Sequence, residues 1–117
     1  MELEQLRRYL LEKKGVTEEQ PFGPEALVFK VVGKMFGLIA WQASPLSLSL
    51  KCDPDLAVTL RSQYPAITPG YHLNKKHWNS IALDGTVPDD EVLGLIDHSY
   101  NLVVKGLKKA EREQLGT

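Results

Sequence analysis

The sequence has few of the residues that build catalytic and cofactor sites. Its single cysteine, Cys52, excludes an internal disulfide and a zinc site made of several cysteines, and a buried structural thiol is expected. The pair Gly33-Lys34 is typical of a hairpin turn rather than of a glycine-rich phosphate loop. Cys52 and His72 could be matched as nucleophile and base, but nothing along the chain brings them together. The sequence therefore predicts no enzyme activity and no cofactor.

Long apolar runs and an excess of charge are also absent. No run approaches the ~20 apolar residues that span a bilayer, and residues 1–5 lack the basic start of a signal peptide. The net charge of −1 argues against a strong, salt-sensitive nucleic-acid binder. With 117 residues, of which 43% are hydrophobic and 25% charged, we expect one monomeric, cytoplasmic domain.

Short hydrophobic repeats divide the chain into helices and strands. Residues 2–14 place three leucines on one helical stripe, and residues 46–51 alternate leucine with serine or lysine, as a half-buried strand does. Asp53 and Pro54 supply the N-cap and first position of a second helix. The predicted elements are a helix over 2–14, strands over 27–32, 36–42 and 46–51, a helix over 54–64, a strand over 78–83 and a helix from 88 or 89 to 107.

This element order predicts an α+β fold. Its expected form is a two-layer sandwich of order α-β-β-β-α-β-α, with an antiparallel sheet and the helices on one sheet face. Residues 1–107 are expected to form a single domain. Residues 108–117 are polar, and a fraying C-terminal tail is predicted there.

One segment, residues 71–78, combines two lysines, two histidines and two large aromatic side chains. We call it the basic-aromatic segment, and it contains no acid, whereas residues 84–97 contain five acids and no base. Lys75 and Lys76 could contact the phosphates of a nucleic acid, and Trp78 could stack on a base for ~1–3 kcal/mol. If Ile81 faces the core, strand alternation places Trp78 on the outer sheet face, and its solvent exposure is then expected.

Structural interpretations of the same residues remain open. The lysines could belong to a solvated loop, Tyr71 could anchor the turn, and Trp78 could belong to the core. His72 and His77 are five residues apart, a spacing that fits neither a helical nor a strand metal pair, so no metal site is predicted. Hydrogen bonds from the histidine rings to the turn are the favoured interpretation.

Several separated motifs together resemble the MmcQ/YjbR family of small bacterial proteins. The likeness covers roughly residues 22–107 and is carried by Phe22-Gly23, Val31, Gly33-Lys34-Met35-Phe36, Leu50-Lys51-Cys52-Asp53-Pro54, Tyr71-His72-Leu73-Asn74-Lys75-Lys76-His77-Trp78-Asn79, Leu83-Asp84-Gly85, Pro88-Asp89 and Ile96-Asp97-His98-Ser99-Tyr100. The resemblance implies a CyaY-like, that is frataxin-like, sandwich. It also implies a DNA-binding function, with no settled catalytic residues. The first helix lacks the dense acidic ridge of iron-binding frataxin-like proteins, so iron delivery is not expected.

Two functions follow as hypotheses. The first is weak DNA binding without a base code, through phosphate contact and stacking. The candidate residues are Lys34, Lys51, Tyr71, His72, Asn74, Lys75, Lys76, His77 and Trp78. The alternative is a protein-interaction module that docks a partner on the outer sheet face around Trp78, with Trp41 as a further contact.

Overall fold

The computed structural model describes residues 1–70 and 73–116. Within them the chain forms a six-stranded antiparallel sheet and four helices. The elements are α1 (Leu3–Leu11), β1 (Val16–Glu19), β2 (Ala26–Val31), β3 (Lys34–Ala40), β4 (Ser47–Lys51), α2 (Pro54–Gln63), β5 (Ile67–Pro69), β6 (Trp78–Ala82), α3 (Asp89–Lys105) and α4 (Lys109–Leu115). The predicted α+β class is confirmed.

The central meander of β2, β3 and β4 follows the sequence prediction. The turn between β2 and β3 has two residues, Val32 and Gly33, with φ of 48° and 75°. Two consecutive positive φ angles are typical of the hairpin turn whose twist matches that of the flanking strands. The sheet order is β1-β2-β3-β4-β6-β5, so β6 pairs with β4 and the short strand β5 forms one edge. Strands β1 and β5 were not predicted.

The helices form where local signals favour them. The Asp53 carboxylate accepts hydrogen bonds from the backbone N–H groups of Asp55 and Leu56, both at 3.1 Å, and Pro54 opens α2 as predicted. Helix α3 begins with Asp89, Asp90 and Glu91, whose charges complement the positive end of the helix dipole.

The core lies between one sheet face and the helices. All four helices contribute to one apolar cluster, for example through Leu6 of α1, Leu60 of α2 and Ile96 of α3. Ser99 of α3 is fully buried and joins two strands: its hydroxyl donates to the carbonyl of Phe36 at 2.6 Å and accepts from the N–H of Lys51 at 3.0 Å. These bonds fix α3 against β3 and β4 at the end of the sheet where β3 starts and β4 ends.

The C-terminal residues differ from the predicted fraying tail. Residues 109–115 form α4, and the Leu115 side chain is 5% exposed within the core cluster. The helix docks against the turn after α1, where a Cβ on Gly15 would come within 2.4 Å of Leu115 Cδ1. A single leucine in a polar segment gives no periodic pattern, which is why the sequence indicated a tail. No helix in the described part of the chain is long and apolar enough to cross a membrane.

Candidate nucleic-acid interface

The described part of the basic-aromatic segment forms a tight turn before β6. The Asn74 side-chain oxygen accepts from the N–H of Lys76 at 2.9 Å, and the Asn74 carbonyl accepts from the N–H of His77 at 3.2 Å. This Asx-type turn leaves Asn74, Lys75 and Lys76 exposed. The Lys75 ammonium group donates to the carbonyl of Gly70 at 3.2 Å. Tyr71 and His72 lie outside the described residues.

An arginine of α2 holds this turn in place. Arg61 Nε donates to Asn79 Oδ1 at 2.7 Å, and the same guanidinium donates to the carbonyl of Lys75. Asn79 is buried and also donates to the carbonyl of Ala57 at 3.3 Å. Arg61 and Asn79 thus connect the lysine-bearing turn to the second helix. Neither residue was predicted to support the site, because their pairing spans 18 positions and leaves no local pattern.

His77 is half-buried at the end of this turn. Its backbone carbonyl accepts from the N–H of Cys52 at 2.8 Å, which ties the turn to the end of β4. Among residues 1–70 and 73–116, no three histidine, cysteine, aspartate or glutamate side chains lie close enough to hold a metal ion.

Trp78 has the predicted strand orientation but not the predicted exposure. It pairs with Lys51 in the register of β4 and β6, two positions from the pair of Ser49 and Ser80 on the same outer face. The side chain is nevertheless only 9% exposed. Gly70, which follows β5, lies directly beside it: the N–H of Gly70 donates to the Trp78 carbonyl at 2.8 Å, and a Cβ on Gly70 would come within 2.8 Å of Trp78 Cβ. Trp78 therefore offers little surface to a base or a partner.

Trp41 also lies elsewhere than expected. It packs against the core cluster on the helix side of the sheet, and its Nε1–H donates to the carbonyl of Pro24 at 2.7 Å. Trp41 follows the last residue of β3, where strand alternation puts Ala40 on the outer face, opposite Ser47. The prediction that Trp41 contributes to the outer face is wrong.

Lys34 and Lys51 lie at the same end of the sheet as the turn. Because β3 starts, β4 ends and β6 starts at this end, we call it the lysine end. Lys34 and Lys51 line a depression of about 300 Å³ beside the last turn of α3, together with Leu102 and Gly106. Within the described ranges, no ion pair involves Lys34, Lys51, Lys75 or Lys76.

Further charges surround the lysine end. Lys105 and Lys108 are exposed where α3 passes into α4, beside the same depression, and neither is among the predicted site residues. Asp53 and Asp55 are exposed at the start of α2, directly after β4, and they weaken the local positive field. The lysine end is therefore basic but not exclusively so.

Cys52 lies beneath this surface and is 3% exposed. Burial, with a smaller contribution from the Asp53 carboxylate, raises the pKa of the thiol to about 11. A thiol with such a pKa is protonated at neutral pH, and the protonated form is a poor nucleophile. His98 Nε2 lies nearby and accepts from the N–H of Asp53 at 3.1 Å, so this ring supports the start of α2.

Comparison with known proteins gives a consistent set of relatives. A family model described as YjbR matches residues 11–102. The chain is 39% identical over 112 residues to the uncharacterized protein YbdF of Escherichia coli O157:H7, covering 96% of this chain and 92% of that one. It is 33% identical over 115 residues to the uncharacterized protein YjbR of Escherichia coli strain K12, covering 98% of each.

A solved structure supports the same relationship. The crystal structure of Deinococcus radiodurans protein DR2400, with family-model domain DUF419, superposes with a TM-score of 0.92 at 45% identity, covering 98% of this chain and 88% of that chain. A protein from Pseudomonas syringae superposes with a TM-score of 0.75 at 28% identity, covering 87% and 98%. Similarity in sequence thus extends over nearly the whole chain and is accompanied by the same fold. The chain belongs to the YjbR family.

Proposed function

We propose that this domain binds DNA weakly through its lysine end, by contacts to phosphates and without reading bases. The observation that carries the proposal is the gathering of Lys34, Lys51, Lys75 and Lys76 at one end of the sheet with no ion pair to any described residue. Ammonium groups without carboxylate partners are available to replace the counterions of a phosphate backbone.

Phosphate contact fits this surface better than base stacking. Trp78 is only 9% exposed, so its ring offers too little surface for a base to stack on. The turn that carries Lys75 and Lys76 is instead held by Asn74 and by the two hydrogen bonds that Arg61 donates, to Asn79 and to the carbonyl of Lys75. We call this pair of bonds the Arg61 clamp. A prearranged turn loses little conformational freedom when its lysines meet a phosphate.

The same surface limits the affinity. Asp53 and Asp55 stand near Lys51, and the net charge of the whole chain is −1. A lysine acts as a point charge without the bidentate geometry by which arginine recognises guanine, so base readout is not expected. Binding of this kind depends strongly on salt.

The outer sheet face supports a second candidate function, the docking of a protein partner. Where β4 pairs with β6, this face carries Ser47 opposite Ala82 and Ser49 opposite Ser80, and the two hydroxyl groups of the second pair are hydrogen-bonded at 2.8 Å. A shallow depression of about 360 Å³ lies beside them, lined by Ser47, Thr68 and Ala82 among others. Partner contact here would use small side chains that permit close approach, rather than Trp78.

A salt-dependent titration tests the proposal. Fluorescence anisotropy of labelled duplex and single-stranded DNA is measured at several salt concentrations between about 50 and 200 mM. We expect binding at the lowest salt, and a logarithmic salt slope that falls by about 1 for each phosphate-contacting lysine removed in the Lys75→Ala/Lys76→Ala variant.

Lys30→Ala is the matched control. Lys30 lies on the outer face and pairs with Glu19 at 3.4 Å, so its removal should leave the slope unchanged. Thr68→Tyr, which fills the outer-face depression, should also leave DNA binding intact while blocking a docked protein. Undetectable binding to both DNA forms at about 50 mM salt, or an unchanged slope in the double variant, would refute the DNA proposal.

A further inference from the structure

Phe22 is the most exposed large apolar side chain among the described residues, at 66%. The other two exposed examples, Leu11 at 40% and Val58 at 62%, lie on helices. Phe22 lies instead in the loop between β1 and β2, within the sequence Pro21-Phe22-Gly23-Pro24. Exposed aromatic side chains beside a concave surface are typical of protein-binding sites.

The loop holds Phe22 outward rather than leaving it free. Trp41 Nε1–H donates to the carbonyl of Pro24 at 2.7 Å, and the N–H of Gly23 donates to the carbonyl of Gln20 at 3.4 Å. Gly23 has a φ of 105°, which a residue with a side chain rarely adopts. Two prolines restrict the remaining backbone, so presenting the ring to a partner requires little ordering of the loop.

A groove of about 470 Å³ adjoins this loop, between α1 and the first two strands. Its apolar part is formed by Leu3, Leu27 and Trp41. Gln20, two residues before Phe22, lies at the rim. The groove therefore adjoins the loop that presents Phe22, and its volume is large enough for one or two anchoring side chains of a partner.

The charged part of the groove is acidic. Glu4, Glu18 and Glu19 line it, and each has a cationic partner: Arg7 pairs with Glu4 and Glu18, and Lys30 pairs with Glu19 at 3.4 Å. Arg7 Nε and Nη2 donate to the Glu18 carboxylate at 2.7 and 2.8 Å, and Nη1 donates to Glu4 at 2.7 Å. These hydrogen bonds raise the pKa of Arg7, so the guanidinium stays charged and holds two carboxylates in place. Three carboxylates against two cations, Arg7 and Lys30, leave one net negative charge at the rim, which complements a cationic ligand.

We infer that this groove docks a protein segment in which lysine or arginine residues alternate with large apolar side chains. The apolar side chains pack on Phe22 and Trp41, while the cations face the rim around the exposed Glu4. The groove lies where β1 ends and β2 begins, which is the opposite end of the sheet from the lysine end. The inference thus adds a second surface with a different ligand to the proposed DNA contact.

Defined peptides test the inference. Three labelled peptides of about 12 residues are compared by anisotropy: one of lysine and leucine, one with glutamate in place of lysine, and one with serine in place of leucine. We expect the lysine-leucine peptide to bind and each of the other two to bind at least about tenfold more weakly, because each lacks one of the two complementary features.

Variants of the protein locate the site. Phe22→Ala should weaken binding of the lysine-leucine peptide by about tenfold or more, the effect of losing an aromatic anchor. Val58→Ala, which removes an equally exposed apolar side chain from α2, should change nothing. Glu4→Gln/Glu19→Gln should weaken binding and flatten its salt dependence. Urea unfolding checks that all three variants stay folded.

Three results would overturn the inference. The first is the absence of binding of the lysine-leucine peptide at about 1 mM. The second is equal binding by the wild-type protein and by the folded Phe22→Ala variant. The third is a dimer, seen by light scattering, that Phe22→Ala dissociates, because the occupant would then be a second copy of this chain.

Discussion

The two ends of the sheet leave different groups without partners. At the lysine end, hydrogen bonds from the backbone N–H groups of Lys76 and His77 close the turn before β6. The ammonium groups of Lys34, Lys51 and Lys76 have no ion pair to any described residue. At the opposite end, which we call the carboxylate end, the charges of Glu4 and Glu18 are held by a guanidinium, and the exposed group is the ring of Phe22. One end therefore suits a polyanion, and the other suits a partner with apolar anchors.

Helices α1 and α3 help to explain this separation of charge. The Met1 amino group lies 3.7 Å from the Asp89 carboxylate, so both helices begin at the carboxylate end. Acids in the first turn and bases near the last turn stabilise a helix through its dipole, as Asp89 and Lys105 do in α3. Because the two helices run in the same direction, their capping charges collect by sign at the two ends of the domain.

Removing Leu115, the side chain that packs α4 on the core, should cause the largest loss of stability. Leu115→Ala deletes a core side chain and should lower the free energy of unfolding by about 2–5 kcal/mol. Urea denaturation measures this change. Leu11→Ala, at a position 40% exposed on α1, should cost less than about 1 kcal/mol. Equal losses in the two variants would mean that α4 does not belong to the cooperative fold.

Breaking the Arg61 clamp should have an intermediate effect confined to the lysine end. Arg61→Ala leaves the side-chain oxygen of buried Asn79 without its charged donor, which should cost about 1–3 kcal/mol. Arg61→Lys should restore only part of the lost stability. One ammonium group cannot reproduce the planar guanidinium that contacts both Asn79 Oδ1 and the carbonyl of Lys75. Amide exchange should also accelerate at Lys76 and His77.

The matched control for the clamp is Arg8→Ala, which removes an exposed arginine from α1. Its stability and its amide exchange around the turn should match those of the wild-type protein. If Arg61→Ala and Arg8→Ala behave alike, the guanidinium does not hold the turn. Peptide binding at the carboxylate end should be normal in both variants.

The smallest expected effect concerns the link between α1 and α3. Burial acts to raise the pKa of Asp97, but hydrogen bonds from Lys13 at 2.5 Å and Tyr9 at 2.8 Å prevail, and the pKa lies below its ordinary value. A pKa lowered by folding contributes stability at neutral pH that is lost as the pH falls through the folded-state pKa.

Asp97→Asn tests this link through its pH dependence. The variant should be less stable than the wild-type protein by about 0.5–1 kcal/mol at pH 7, as partly exposed ion pairs are. The difference should shrink below about pH 4, where the carboxylate of the wild-type protein becomes protonated. Urea titrations across this pH range measure it. A difference that persists unchanged at low pH would assign the contribution to packing instead of charge.

Local signals explain why much of the fold could be predicted. Asp53 and Pro54 begin α2 because a cap requires only neighbouring residues, and the alternation of leucine and serine in β4 follows from one buried strand face. Strand β1 was missed because its four residues, Val16–Glu19, form a charged edge with a weak periodic pattern. Strand β5 has three residues and ends in proline, so it too gives little signal.

Of the candidate site, only the positive charge of its lysines could be predicted from the sequence. Lys34, Lys51, Lys75 and Lys76 were identified from composition and from strand ends, and their gathering at one end follows from antiparallel pairing. Their support by Arg61 depends on a contact between a helix and a strand that no local pattern records.

The sequence by itself determined the strand alternation, the capped helices and the sorting of charge along the chain, because each depends on residues within a few positions of one another. Only the tertiary structure decided which of these residues meet solvent. It buried Trp78, turned Trp41 toward the helices and left Phe22 exposed. Burial depends on contacts between distant segments, so a strand pattern that gives the correct face does not reveal what covers that face.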